Sequence, residues 1–206
     1  MTGGRKEHWE QVYRKKRSDK MSWWQEVPRT SLDLVRSLDI GRDARIIDAG
    51  GGDARLVDCL LDEGYQNLTV LDISEEAIAR ARERLGGKGA GIRWIAGDIT
   101  NFHAQDEFEV WHDRAAFHFL TDEDLITRYV EIAGKAIVPG GYLIIGTFSD
   151  TGPLSCSGLP VRRYSEGELL SAFGTRFDLI DSLKEDHPTP SKVMQNFIFC
   201  RFRKRH

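Results

Sequence analysis

The chain has 206 residues, 40% of them hydrophobic and 10% aromatic, which is enough to bury one sizeable core and fits one domain better than two. Its 29 basic and 32 acidic side chains leave a formal charge of −3, so the chain as a whole lacks the electrostatic footprint of a nucleic-acid binder. Cys59, Cys156 and Cys200 are far apart and odd in number, which suits a reducing, cytoplasmic setting better than a disulfide framework.

The N-terminal run MTGGRKEHWEQVYRKKR is charged where a signal peptide needs an apolar stretch, and no window approaches the roughly 20 apolar residues of a membrane span. From Arg5 to about Arg17, Trp9, Val12 and Tyr13 fall at helical spacing and predict a short amphipathic helix. Residues 1–30, which include Trp23 and Trp24, are read as an N-terminal helix and covering segment on a core spanning 31–206, the whole forming one domain.

A helix over 31–38 leads into Arg45 to Ala49, a short apolar run stopped by Gly50, Gly51 and Gly52, as expected of a buried strand and a tight turn. Helical periodicity follows over 53–61. The alternation then repeats: strand 68–73, helix 74–85, strands 92–96 and 108–112, helix 121–138, strand 142–148. Strands alternating with helices predict a Rossmann-like, doubly wound α/β fold with a mostly parallel seven-stranded sheet and helices on both faces. Ser74, followed by Glu75 and Glu76, is a helix start with a hydroxyl cap and acids at the positive end of the dipole. After a loop over 149–164 and a helix over 166–173, the apolar runs 177–183 and 196–202 predict an antiparallel hairpin at the sheet edge, separated by a turn-rich segment over 187–191.

Asp48-Ala49-Gly50-Gly51-Gly52-Asp53 sits where the first strand turns into the first helix of the core, and glycines there let a ligand approach the backbone. A dinucleotide fingerprint needs a third glycine where Arg55 stands, and the GxxxxGK[ST] phosphate loop is absent, so a nucleotide-like ligand other than NAD is expected. Asp72, twenty positions beyond Gly52 and followed by Ile73, ends the second strand, where its carboxylate can accept from ribose hydroxyls. Asp98 ends the third strand; it can accept from an adenine amino group while Ile99 covers a ring face.

With these residues in this order the chain resembles the class I S-adenosylmethionine-dependent methyltransferases. Their first motif is an acid-x-Gly-x-Gly turn like Asp48 to Gly52, and their next two match Asp72 and Asp98 with Ile99. The resemblance implies S-adenosyl-L-methionine as cofactor, with Asp48 and Gly50 flanking its methionine part. It also implies an N-terminal segment, here carrying Trp23 and Trp24, that covers the cofactor.

The fourth strand runs into Trp111-His112-Asp113-Arg114-Ala115-Ala116-Phe117-His118-Phe119-Leu120, which puts four ionisable groups at the expected crevice. Asp113 to Ala116, Arg128-Tyr129, Pro139-Gly140-Gly141 and Gly158 to Val161 look like the thiopurine and tellurite-resistance group of small-molecule S-methyltransferases. His8-Trp9-Glu10 with Tyr13, Ser22-Trp23-Trp24, Asp62 to Tyr65 and Leu71 to Ser74 are similar to a family of protein lysine methyltransferases.

Methyl transfer is a displacement at an activated carbon, so alignment and exclusion of water are the main tasks and a dedicated base is optional. His118 is the first candidate for a base and Asp113 the second, and Arg114 is the candidate clamp for an anionic substrate. Cys156 is weighed as a thiol contact against a buried, unreactive role. His112, His118 and His187 match no ligand spacing, and no metal is expected. The expected activity is methyl transfer to a small molecule at sulfur or nitrogen, with no nucleic-acid or membrane partner. The alternatives are a protein lysine acceptor and a module that binds the cofactor without turnover.

Overall fold

The computed structural model describes residues 3–104 and 107–206, so the first two residues of the N-terminal segment lie outside it. Six helices, α1 (Gly3–Lys15), α2 (Arg29–Arg36), α3 (Leu56–Asp62), α4 (Glu75–Leu85), α5 (Glu123–Ala136) and α6 (Glu166–Phe173), surround one principal sheet. Its strands are β1 (Arg45–Ala49), β2 (Asn67–Asp72), β3 (Arg93–Ala96), β4 (Phe108–Arg114), β5 (Ile137–Phe148), β8 (Phe177–Pro188) and β9 (Met194–Lys204); β6 (Ser155–Cys156) and β7 (Leu159–Pro160) make a small separate hairpin.

The strand order is β3-β2-β1-β4-β5-β9-β8. β1 pairs in parallel with β2 on one side and β4 on the other, so the chain reverses its winding direction between them. A crevice opens at such a switch point, outside the carboxyl ends of the strands. β9 runs antiparallel to β5 and to β8, which gives the edge hairpin expected from the sequence.

The central strands are apolar on both faces because both are covered. Ile47, Trp111, Leu143, Ile145, Ile198 and Phe202 pack with Tyr129 and Ala133 of α5 and Leu169 and Phe173 of α6. Alternate residues Ile46, Val70, Val110, Ile144 and Phe199 pack on the other face with Leu32 and Val35 of α2 and Leu56 and Leu60 of α3. A one-residue slip in any of these strands would exchange the two sets.

The boundaries depart from expectation where tertiary pairing overrides periodicity. α5 stops at Ala136 instead of Val138, because Ile137 pairs with Phe108 and Pro139 biases the preceding residue away from helix. The chain then bends at Gly140, whose φ is +76°. β8 continues to Pro188, through part of the segment read as turn. Its outer positions Lys184 and Asp186 are exposed and charged, a composition that protects an edge strand while hiding its apolar period. Ser74 caps α4 as expected, its Oγ accepting from the Ala77 amide at 3.1 Å.

Candidate active site

Four strand ends form the floor of one cavity. Gly50 follows β1, Asp72 ends β2 and Ile73 follows it, Gly97, Asp98 and Ile99 follow β3, and Arg114, Ala115 and Ala116 lie at the end of β4. The roof is N-terminal and aromatic: Trp9 and Tyr13 of α1, then Trp23, with Phe119 at the side. Trp9 packs edge-on against Phe119 and Trp23, with ring centroids 4.9 and 5.7 Å away.

The glycine turn is shaped by its neighbours. Gly50 has φ +74°, and a Cβ on it would collide with Ala116, so the turn and the loop after β4 touch there with no space for a side chain. A Cβ on Gly52, at φ +51°, would lie 2.5 Å from the Tyr13 hydroxyl and 3.2 Å from Asp72 Oδ2. Ala115, a non-glycine residue at φ 67°, holds a left-handed conformation in the cavity wall, as residues at ligand sites often do.

Asp72 is buried, with Oδ1 accepting from the Ser74 amide at 2.8 Å. Burial raises its pKa to about 7, with the nearby Asp53 and Asp48 carboxylates adding to the shift and backbone hydrogen bonds from Ser74 and Gly52 opposing it. Because the folded value exceeds the unfolded one, this group's stabilisation is complete at low pH and is lost as pH rises towards 7, by at most about 1.4 kcal/mol per pH unit. Hydroxyl donors prefer the ionised form. Affinity for a ribose-bearing ligand is therefore expected to strengthen between pH 6 and 8, with a proton released on binding. Calorimetry in buffers of different ionisation enthalpy checks this, and a pH-independent affinity would contradict it.

Asp98 is more heavily engaged than the sequence suggests. Its Oδ1 accepts from the Thr100 amide and hydroxyl at 2.9 and 2.7 Å, and its Oδ2 pairs with Arg5 of α1 at 2.8 Å. Glu10, one turn further on, caps α4: its Oε1 accepts from the Glu75 amide at 2.8 Å and its Oε2 from the Glu76 amide and Ser74 Oγ, both at 3.2 Å. A carboxylate at a helix N-terminus is favoured by the dipole, so α1 is anchored to the strand ends by polar contacts as well as by its aromatic face.

The residues singled out in the sequence separate into distinct places. Gly50, Asp72, Ile73, Asp98, Ile99, Trp23 and Arg114 line the cavity together. Asp48 and Ala49 are buried behind the glycine turn, where Asp48 accepts from His112 Nδ1 at 2.7 Å and His112 Nε2 lies 2.9 Å from Ser31 Oγ. Gly51 packs over Asp48: a Cβ there would lie 2.6 Å from its Oδ2. Trp24 leaves the cavity for a basic surface groove beside Arg55, Arg80 and Arg84, so the tryptophan pair does not act as one cover.

Asp113 and His118, read as candidate bases facing the acceptor, lie under the cavity rather than in its wall. Asp113 accepts from the Ala116 and Phe117 amides at 3.0 and 3.1 Å and from the Tyr129 hydroxyl at 2.8 Å, and so holds the turn that carries Ala115 and Ala116. Burial raises its pKa to about 6 against those hydrogen bonds. His118 stacks on Phe148 with centroids 4.5 Å apart, and its Nδ1 accepts from the Phe148 amide at 3.2 Å. Burial, with the Arg114 charge adding to it, lowers its pKa to about 3, so the ring is neutral and its one free lone pair is in use.

Cys156 lies in the wall, its Sγ 3.6 Å from Ser22 Oγ and its thiol pKa pushed up by burial. His187 Nε2 meets the Ser22 carbonyl at 2.7 Å. Among the described residues no group of three or more His, Cys, Asp or Glu is placed to hold a metal, and no helix is long and apolar enough to cross a membrane. Phe119 and Leu120, at the end of the stretch read as the crevice, line the cavity, as does Arg5, which the sequence did not single out as a site residue and which only tertiary placement marks.

Comparison with known proteins fits this geometry. Residues 46–141, from β1 through the start of β5, match the family described as methyltransferase domain. This segment is thus similar to a methyltransferase domain. Its glycine turn, Asp72, Asp98 and the loop after β4 all fall within the match.

Beyond this segment the likeness extends further. A mouse protein named eEF1A lysine and N-terminal methyltransferase is 26% identical over 96% of this chain and 31% of its own length. Nodulation protein S of Rhizobium tropici is 29% identical over 61% of this chain and 52% of its own. The chain thus spans 31% of the length of the first of these relatives and 52% of the second. The crystal structure of the N-methyltransferase NodS from Bradyrhizobium japonicum, in complex with S-adenosyl-L-homocysteine, superposes with a TM-score of 0.74 at 19% identity, covering 96% of this chain and 98% of that one. That likeness establishes the fold.

Proposed function

We propose that the protein is an S-adenosylmethionine-dependent methyltransferase acting on a small-molecule acceptor at nitrogen or sulfur, with residues 1–206 working as one unit. The reading rests on one observation: the Gly50 turn, the buried Asp72 carboxylate and the apolar pair Ile73 and Ile99 converge on a single cavity. These residues fit the cofactor. Gly50 presents bare backbone to the cavity beside Ala116, Asp72 accepts from ribose hydroxyls, and the two isoleucines flank an adenine ring. Asp98 retains acceptor capacity for the adenine amino group beside its pair with Arg5.

When bound, S-adenosylmethionine supplies a methyl carbon on a sulfonium; the acceptor lone pair forms the new bond, the electrons of the carbon–sulfur bond stay on sulfur, and the acceptor's proton goes to solvent. The chain's part is alignment and exclusion of water, which can contribute about 7 to 11 kcal/mol. Trp9, Tyr13 and Trp23 close the cavity from above, and residues 1–30 serve as its cover. Asp113 and His118 are positioning residues for the loop 115–119, and Arg114 faces the ligand. The free cysteines and the absence of a long apolar helix among the described residues fit a cytoplasmic enzyme.

A small acceptor is favoured because the cavity is roofed. A protein lysine is the second reading, favoured by the mouse relative, which aligns over nearly the whole chain. Incubation with methyl-labelled S-adenosylmethionine and a size-fractionated lysate separates them: label is expected in the low-mass fraction, and label confined to protein would favour lysine.

A further inference from the structure

Arg114 is the one cation at the end of β4, and its guanidinium is only partly used. Nη1 donates to the Trp23 carbonyl at 2.8 Å. Nε and Nη2 are both buried, and among the described residues neither has an acceptor. These two nitrogens form one edge of the guanidinium, with parallel N–H bonds spaced to meet both oxygens of a carboxylate. The carboxylates that act on Arg114 through space do not fill that edge: Asp48 is taken by His112, and Glu185 gives Oε1 to Gln25 at 3.1 Å while its Oε2 has no partner. The remaining contact is apolar, the Phe197 ring lying 5.1 Å from the guanidinium carbon. A buried cation with two idle donors is costly, and such a cost is offset where a ligand supplies the acceptors.

We infer that the Nε–Nη2 edge of Arg114 is a bidentate carboxylate site on the cofactor cavity, filled by a ligand carboxylate that belongs either to the methionyl end of the cofactor or to the acceptor. The inference rests on the cofactor reading above. The Trp23 carbonyl holds Nη1, so the segment that roofs the cavity also sets the direction of the fork. Burial lowers the Arg114 pKa to about 10, which leaves the group charged at neutral pH.

The test is calorimetric titration of the full chain, wild type and Arg114→Gln, with S-adenosylhomocysteine and with 5′-methylthioadenosine, which lacks the amino-acid end. A cofactor carboxylate predicts that the substitution weakens S-adenosylhomocysteine tenfold or more and changes methylthioadenosine less than twofold. An acceptor carboxylate predicts that both affinities stand, while benzoate binds the wild-type S-adenosylhomocysteine complex and not that of the variant. Arg114→Lys, which keeps the charge and loses the fork, is expected to recover only part of the affinity and serves if the glutamine variant does not fold. Unchanged nucleoside affinities together with benzoate binding that is absent or insensitive to Arg114 would overturn the inference alone. Folded wild type that binds neither nucleoside would overturn the cofactor reading and this inference with it.

Discussion

Gly50→Val is expected to weaken S-adenosylmethionine binding at least a hundredfold while the protein still melts cooperatively. The residue sits at φ +74°, a region that a β-branched side chain adopts only under strain, and its Cβ would collide with Ala116. Both sides of that contact belong to the cavity, so relief requires the loop after β4 to withdraw from the glycine turn. Isothermal titration beside a thermal melt separates the effects: a modest fall in Tm with loss of binding is the expected result. Retention of affinity within threefold would mean that the turn does not cradle the ligand.

His112→Leu is expected to destabilise the fold by about 3 kcal/mol, because it removes the partner of a buried carboxylate and leaves Asp48 without its 2.7 Å hydrogen bond. Ser31 Oγ loses its neighbour as well. The double variant with Asp48→Asn is expected to cost less than the sum of the single ones, since the uncompensated charge is then gone. Denaturant midpoints at constant m-value measure both, and additive effects would show that the pair is not coupled.

The sheet was legible because its strands are short, apolar and punctuated. Ile46-Ile47 stopped by Gly50, and Leu71 stopped by the Ser74 cap, mark strand ends in the sequence and in the structure alike. The cavity floor followed from those ends, since topology brings the carboxyl termini of parallel strands together. The direction of side chains at the end of β4 was not legible. Asp113, Arg114 and His118 are adjacent polar residues near a crevice, yet only Arg114 lines it. Asp113 turns inward to Tyr129, and His118 to the Phe148 backbone, and neither partner can be chosen from spacing alone. The anchoring of α1 was hidden for a related reason: helical spacing does not show that Asp98 and the α4 N-terminus lie opposite Arg5 and Glu10.

In the proposed function the strand-end cavity holds S-adenosylmethionine through Asp72. Titration calorimetry of S-adenosylmethionine against the wild type and Asp72→Ala tests it most directly. Hydrogen bonds to a charged group are worth about 1.5 to 3 kcal/mol each, so binding to one site that weakens at least tenfold in the variant is the result expected. Absence of binding to the folded wild type, or equal affinity in the variant, would contradict it.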